Sequence, residues 1–224
     1  MSKQFWIVLA VIAVILGGIL YVSKHDQHST ASSGSNAQPT HHVEGTSPSG
    51  VTLVEYGDYE CPVCGSFYTI VKQVAAAYND KLVFQFRNLP LTSIHRNAFA
   101  GARAAEAAGL HNKYWEMHDL LYESQTSWAQ ASDVQSIFKS YAGQLGLNVT
   151  QFTSDYASDK VNNAINADLN AFADTHDDMA TPTFYLDGVK VDNAKLIDAS
   201  GRPAPSAFAK ILDAEIARKA TSKK

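Results

Sequence analysis

The stretch that decides the fold is Leu53–Ile70, LVEYGDYECPVCGSFYTI, which holds the two cysteines of the chain, Cys61 and Cys64, as a C-x-x-C. Upstream, VTLVEY (51–56) is β-rich and has Gly50 and Gly57 at its ends, which predicts a buried strand. Downstream, Val63, Phe67, Ile70, Val71, Val74 and Tyr78 recur at helical spacing, so the pair opens a helix that ends near YNDK. LVFQFR (82–87) then reads as a second strand. A β-α-β unit of this kind has parallel strands and a right-handed crossover.

Three chemistries are open to such a pair. A zinc site needs four ligands, and the cysteines supply two. The remaining candidates in this part of the chain, His95, His111, His118 and His176, never fall three to five residues apart. A structural disulfide closing so short a loop is a poor staple, because loop-closure entropy grows with the logarithm of loop length. Redox chemistry fits better. A cysteine at a helix N-terminus faces unpaired N–H groups and the positive end of the helix dipole, which favours thiolate over thiol. Cys61 is therefore expected to be the exposed nucleophile and Cys64, one turn inside, the less accessible resolving thiol. Pro62 suits an early helical position.

Further along, the pattern is helical from about 94 to 178. HRNAFAGARAAEAAG closes on Gly109, and NKYWEMHDLLYES places aromatic and apolar residues in helical repeats. Ser132 is the expected N-cap of the next helix, and residues 149–176 form one bent helix or two. Then β returns: TPTFYLDGVKV is a strand, an Asp187-Gly188 turn and a second strand. A last helix, with Phe208, Ile211, Leu212 and Ile216 on one stripe, follows Pro205. The fold class is α/β, ordered β-α-β, helical block, β-β, α.

The N-terminal part has a different composition. Residues 5–22, FWIVLAVIAVILGGILYV, carry no charge and as a helix would span roughly 27 Å, close to a bilayer core. A cleavable signal peptide is the rival, but no A-x-A follows closely. We expect a cytoplasmic tail (1–4), a transmembrane anchor (5–22), a flexible linker (23–50), the folded domain (51–220) and a tail (221–224). The linker is Ser, Thr, Gly, Pro and His-rich, and its histidines, His25, His28, His41 and His42, are expected to be solvated. A net charge of −4 gives no basic face for nucleic acid, and no phosphate-binding glycine loop is present. Lys3 and Lys24 flank the span on both sides and do not set its orientation; the two cysteines favour the outer face of the membrane, where disulfides persist.

Four motifs, VEYGDYECPVC, PLTSIHRNAFAGARAAEAAG, KYWEMHDLLYESQ and ATPTFYLDGVKV, together resemble the DsbA-like thiol:disulfide oxidoreductases, the thioredoxin-fold group with a helical insertion. The likeness runs from about Val51 to the C-terminal helix. It implies a bacterial, membrane-anchored member, with a catalytic Cys61–Cys64 disulfide and no cofactor or metal. It implies that Pro182 is a cis-proline opposite the pair and that the Thr181 backbone pairs with an extended substrate segment. It also matches Glu55 to the acidic residue beneath the cysteines. Strand alternation puts Glu55 on the face of Val51 and Leu53, where a carboxyl is partly buried, has a raised pKa and can relay a proton to Cys64. The implied partners are exported cysteine-containing proteins and a quinone-linked membrane oxidase. Two departures stand out: Val63 occupies the place where the best-known members have a thiolate-stabilising histidine, and Ala180 stands where glycine is common. The chemistry run in reverse, as a reductase, and a redox-inert tethered peptide-binding or holdase module are the alternative functions. His95 and His118 read as helix-packing or capping residues.

Overall fold

The β-rich and helical runs come together around one mixed sheet. The computed structural model describes residues 37–222. The expected membrane span (5–22), and the linker as far as residue 36, lie outside the described residues. Among the described residues no helix is long and apolar enough to cross a membrane.

Strands β1 (His42–Glu44), β2 (Thr52–Gly57), β3 (Val83–Asn88), β4 (Thr183–Leu186) and β5 (Val189–Val191) form the sheet in the order β1-β3-β2-β4-β5. The β2–β3 pair is parallel, with α1 (Pro62–Ala77) as its crossover. The other three pairs are antiparallel. Asp187 and Gly188 both have positive φ (50° and 81°), the combination that a tight two-residue hairpin turn requires. Between β3 and β4 come six helices: α2 (Ala98–Gly109), α3 (Tyr114–Glu123), α4 (Gln125–Trp128), α5 (Val134–Gln144), α6 (Val149–Tyr156) and α7 (Asp159–Ala173). Helix α8 (Pro205–Ser222) is the last element among the described residues.

Alternation along β2 sorts the core. Leu53 and Glu55 pair with Phe84 and Phe86 on one side, and with Leu186 and Phe184 on the other. This face meets α1 and α8, where Phe67, Phe184 and Phe208 pack ring against ring. Tyr56, Leu89, Phe172 and Tyr185 form a separate buried cluster.

Three expectations are corrected. The linker does not extend to residue 50: His42–Glu44 is an edge strand, Thr40 is buried, and the His42 ring stacks 3.4 Å from Tyr114 and bonds Glu106 at 2.9 Å. The α5 cap is Asp133, not Ser132, because its carboxylate reaches the Ser136 N–H at 3.1 Å. The final helix runs on through Ser222, past the expected boundary at 220. The 149–176 stretch is two helices, divided where Ser158 caps the second by accepting from the Val161 N–H.

Candidate active site

Cys61 is the N-cap of α1 and Pro62 its first helical residue. The loop before it is pinned by its own carboxylates. Asp58 accepts from the Glu60 and Leu91 N–H groups at 2.8 and 2.9 Å and pairs with His95 at 2.7 Å. Glu60 accepts from the Asn97 N–H. The helical insertion reaches the same loop: the Gln125 side-chain amide donates to the carbonyls of Tyr59 and Cys61 at 2.8 and 2.9 Å. These bonds fix the backbone that carries Cys61 before any substrate arrives.

Both cysteines are free thiols in this structure. Cys64 is fully buried, and Cys61 keeps 5% exposure. The expectation of an exposed Cys61 is therefore corrected: the loop before β4 covers it, with the Thr181 carbonyl 3.6 Å from its sulfur. The neighbouring Val63, by contrast, is half exposed.

The Thr181–Pro182 peptide bond is cis. Asn193 holds the Pro182 carbonyl at 2.8 Å, and the Thr183 hydroxyl holds that of Ala180 at 2.7 Å. The Thr181 hydroxyl is buried, with no hydrogen-bond partner among the described residues apart from the adjacent sulfur.

The two thiols are driven apart in acidity. A hydrogen bond from Cys64 is the largest influence on Cys61; against the cost of burial, this bond, Thr181 and the backbone N–H groups of Cys64 and Val63 bring its pKa down to about 5. Cys64 moves the other way, far above the ordinary thiol range, chiefly by burial and then by donating to Cys61. Position 63 thus stabilises the thiolate through its backbone N–H, although its side chain cannot. Glu55 lies on β2 with 3% exposure; burial first, and the charge of Cys61 second, push its carboxyl up to about 8. It accepts no hydrogen bond among the described residues.

The structure therefore gathers Cys61, Cys64, Glu55, Thr181 and Pro182 into one site. Sequence reasoning missed the residues that shape the loop, Asp58, Glu60, Gln125 and Asn193. Only Asp58 carried a signal, a carboxylate two residues ahead of an N–H that needed an acceptor.

The family model described as Thioredoxin matches residues 37–202. Among curated proteins, "Na(+)/H(+) antiporter NhaA 1" of Salinispora arenicola is 36% identical over 168 residues, covering 75% of this chain and 25% of that protein. The chain thus spans about a quarter of the length of the curated relatives it matches. Among solved structures, oxidised BdbD from Bacillus subtilis aligns with a TM-score of 0.67 at 20% identity, over 80% of this chain and 96% of that one. Alpha-DsbA1 from Wolbachia pipientis aligns with a TM-score of 0.68 at 18% identity, over 84% and 96%. At these identities the solved structures establish the fold: a thioredoxin-like sheet with a DsbA-type helical insertion.

Proposed function

The chain belongs to the thioredoxin family, and with its paired-cysteine site it is a thiol:disulfide oxidoreductase; from that premise we propose that it is an oxidase, which donates a Cys61–Cys64 disulfide to exported proteins. The observation that carries the direction is the depressed Cys61 pKa of about 5. A stabilised thiolate stabilises the reduced pair, and a stable reduced pair makes the disulfide a stronger oxidant. At pH 7 the shift leaves about two decades of thiolate preference, at most about 60 mV for a two-electron couple.

In the proposed cycle a substrate thiolate attacks the Cys61 sulfur. The Cys61–Cys64 bond breaks, and Cys64 leaves with the electron pair and takes a proton from Glu55. A second substrate thiolate then attacks the substrate sulfur of the mixed disulfide, and Cys61 leaves as the thiolate. The substrate loses two electrons and the cysteine pair gains them. Extended substrate backbone adds alongside Thr181 next to the cis-proline. A quinone-linked membrane oxidase reoxidises the pair. The proposal places the domain on the extracytoplasmic face, tethered by residues 5–22; the uncharged length of that segment supports the tether.

Equilibration of the chain against glutathione tests the direction. A potential between about −120 and −180 mV is expected, and one near −270 mV would make the protein a reductase. Cys61→Ser separates turnover from binding: an oxidoreductase loses all activity, whereas a redox-inert binding module keeps it.

A further inference from the structure

Next to Glu55 lies a cavity of about 20 Å³. A water needs about 10–15 Å³ and two or more polar partners, so there is room for one. Its inner wall includes Glu55, His118 and Tyr122, all buried, and its outer wall includes Glu44, Lys72 and Asp119, which reach solvent. Tyr68 completes the ionisable lining and is bonded away, to Lys72, Asp119 and Glu123.

Three inner groups have unused hydrogen-bonding capacity, the first of them the Tyr122 hydroxyl, which is buried without a partner among the described residues. The Glu55 carboxyl accepts no bond among the described residues. His118 is 5% exposed and fixed by edge-on rings of Phe86, Trp115 and Tyr122, 4.7 to 5.1 Å away. Its Nδ1 lies 3.0 Å from the Tyr59 hydroxyl, which in turn donates to Tyr114 at 3.1 Å. With its proton committed to Tyr114, the Tyr59 oxygen accepts from Nδ1–H. In that arrangement Nδ1 carries the proton and the Nε2 lone pair is unused. Burial, ahead of the charges of Lys72 and His42, holds the imidazole neutral down to about pH 3.

We propose that the cavity holds one water, which donates to Nε2 of His118 and meets the Glu55 carboxyl, and that His118 is thereby a positioning residue for the proton passing between Glu55 and solvent. The donation to Nε2 turns a water lone pair toward the Glu55 O–H. After Glu55 protonates Cys64, the water hands a proton to Glu55 and is itself reprotonated from solvent at the Lys72–Asp119 end. The proposal rests on the redox reading of the Cys61–Cys64 pair, but it holds for either direction of electron flow.

Proton–nitrogen NMR of the dithiol protein gives the first test. Nδ1–H with a bare Nε2 is expected; an Nε2–H tautomer overturns the proposal without any variant. The second test is the pH profile of glutathione oxidation by the disulfide form. His118→Phe is expected to slow it about tenfold near neutral pH, less than the roughly 10²–10⁴-fold of losing a general acid outright because His118 only positions the water, and to shift the Glu55 midpoint seen by carbon NMR. His118→Gln, which restores an acceptor, is expected to recover most of the rate. In a Glu55→Gln background His118→Phe should have no further effect. An equal loss in both backgrounds, or an unmoved Glu55 midpoint, would make His118 a packing residue only. Neither readout depends on the reduction potential, so failure here is distinct from failure of the oxidase reading.

Discussion

Glu55 and Asp168 are both buried carboxylates beneath this sheet, yet they do opposite things. Asp168, on α7, is fully buried and accepts four hydrogen bonds: the Thr40 N–H and hydroxyl at 2.7 Å each, and the Asn88 N–H and side-chain amide at 2.9 and 3.1 Å. It ties the chain before β1 to the end of β3. Burial and the charge of Glu106 still raise its pKa, but the Asn88 N–H and both Thr40 bonds work against the rise. Glu55 has the same depth and no such bonds, so its carboxyl stays protonated near neutrality. Burial alone therefore does not mark a functional acid. What separates the two is the number of donors that the fold supplies.

The largest expected effect tests the structural side of that contrast. Asp168→Ala strands four buried donors and should cost about 4 kcal/mol or more, read by urea unfolding, with exchange rates of the folded fraction unchanged. A loss below about 1 kcal/mol would break the comparison.

Glu55→Gln should do the reverse. The folded pKa is raised, so the native acid is unpenalised below the ordinary carboxylate pKa and loses stability as pH rises toward 8. Glutamine should therefore stabilise by about 3 kcal/mol at pH 7, with no gain below about pH 4.5, while slowing disulfide exchange.

The redox pair has the opposite pH sign. The Cys61 pKa is depressed, so its stabilisation of the dithiol form is complete above the ordinary thiol pKa and is lost as pH falls through about 5. Melting the dithiol and disulfide forms side by side should show this contribution fading over that window, from at most about 3 kcal/mol at pH 7. The smallest effect belongs to Lys72→Met. Its partners Asp119 and Glu123 are well exposed, so stability should change by less than about 1 kcal/mol.

The sequence carried what is local. The C-x-x-C at a strand-to-helix junction, the Asp187-Gly188 hairpin and the helical periodicities are written in neighbouring residues, and the order of elements follows from them. The alternation of β2 was enough to turn Glu55 inward. What could not be read is non-local. β1 is three residues within a polar run, and it is held through Thr40 by Asp168, 128 positions away. Glu106, on an Ala-rich helix, is buried against His42 and Asn88, partners that local periodicity does not name. Cys61 was read as exposed because a helix N-terminus is open in isolation; the loop that covers it arrives 120 residues later. His118 did read as a packing residue, and its aromatic cage fits that, but its unused Nε2 depends on a hydrogen bond from another element.

The most direct measurement is a titration of the Cys61 thiolate by its ultraviolet absorbance in the dithiol protein, with Cys61→Ser as the blank. The account predicts a midpoint near pH 5, from the Cys64 thiol and the N–H groups of Cys64 and Val63. A midpoint at or above about 8.5, the value of a free thiol, would contradict it, because nothing would then stabilise the reduced pair or favour disulfide donation.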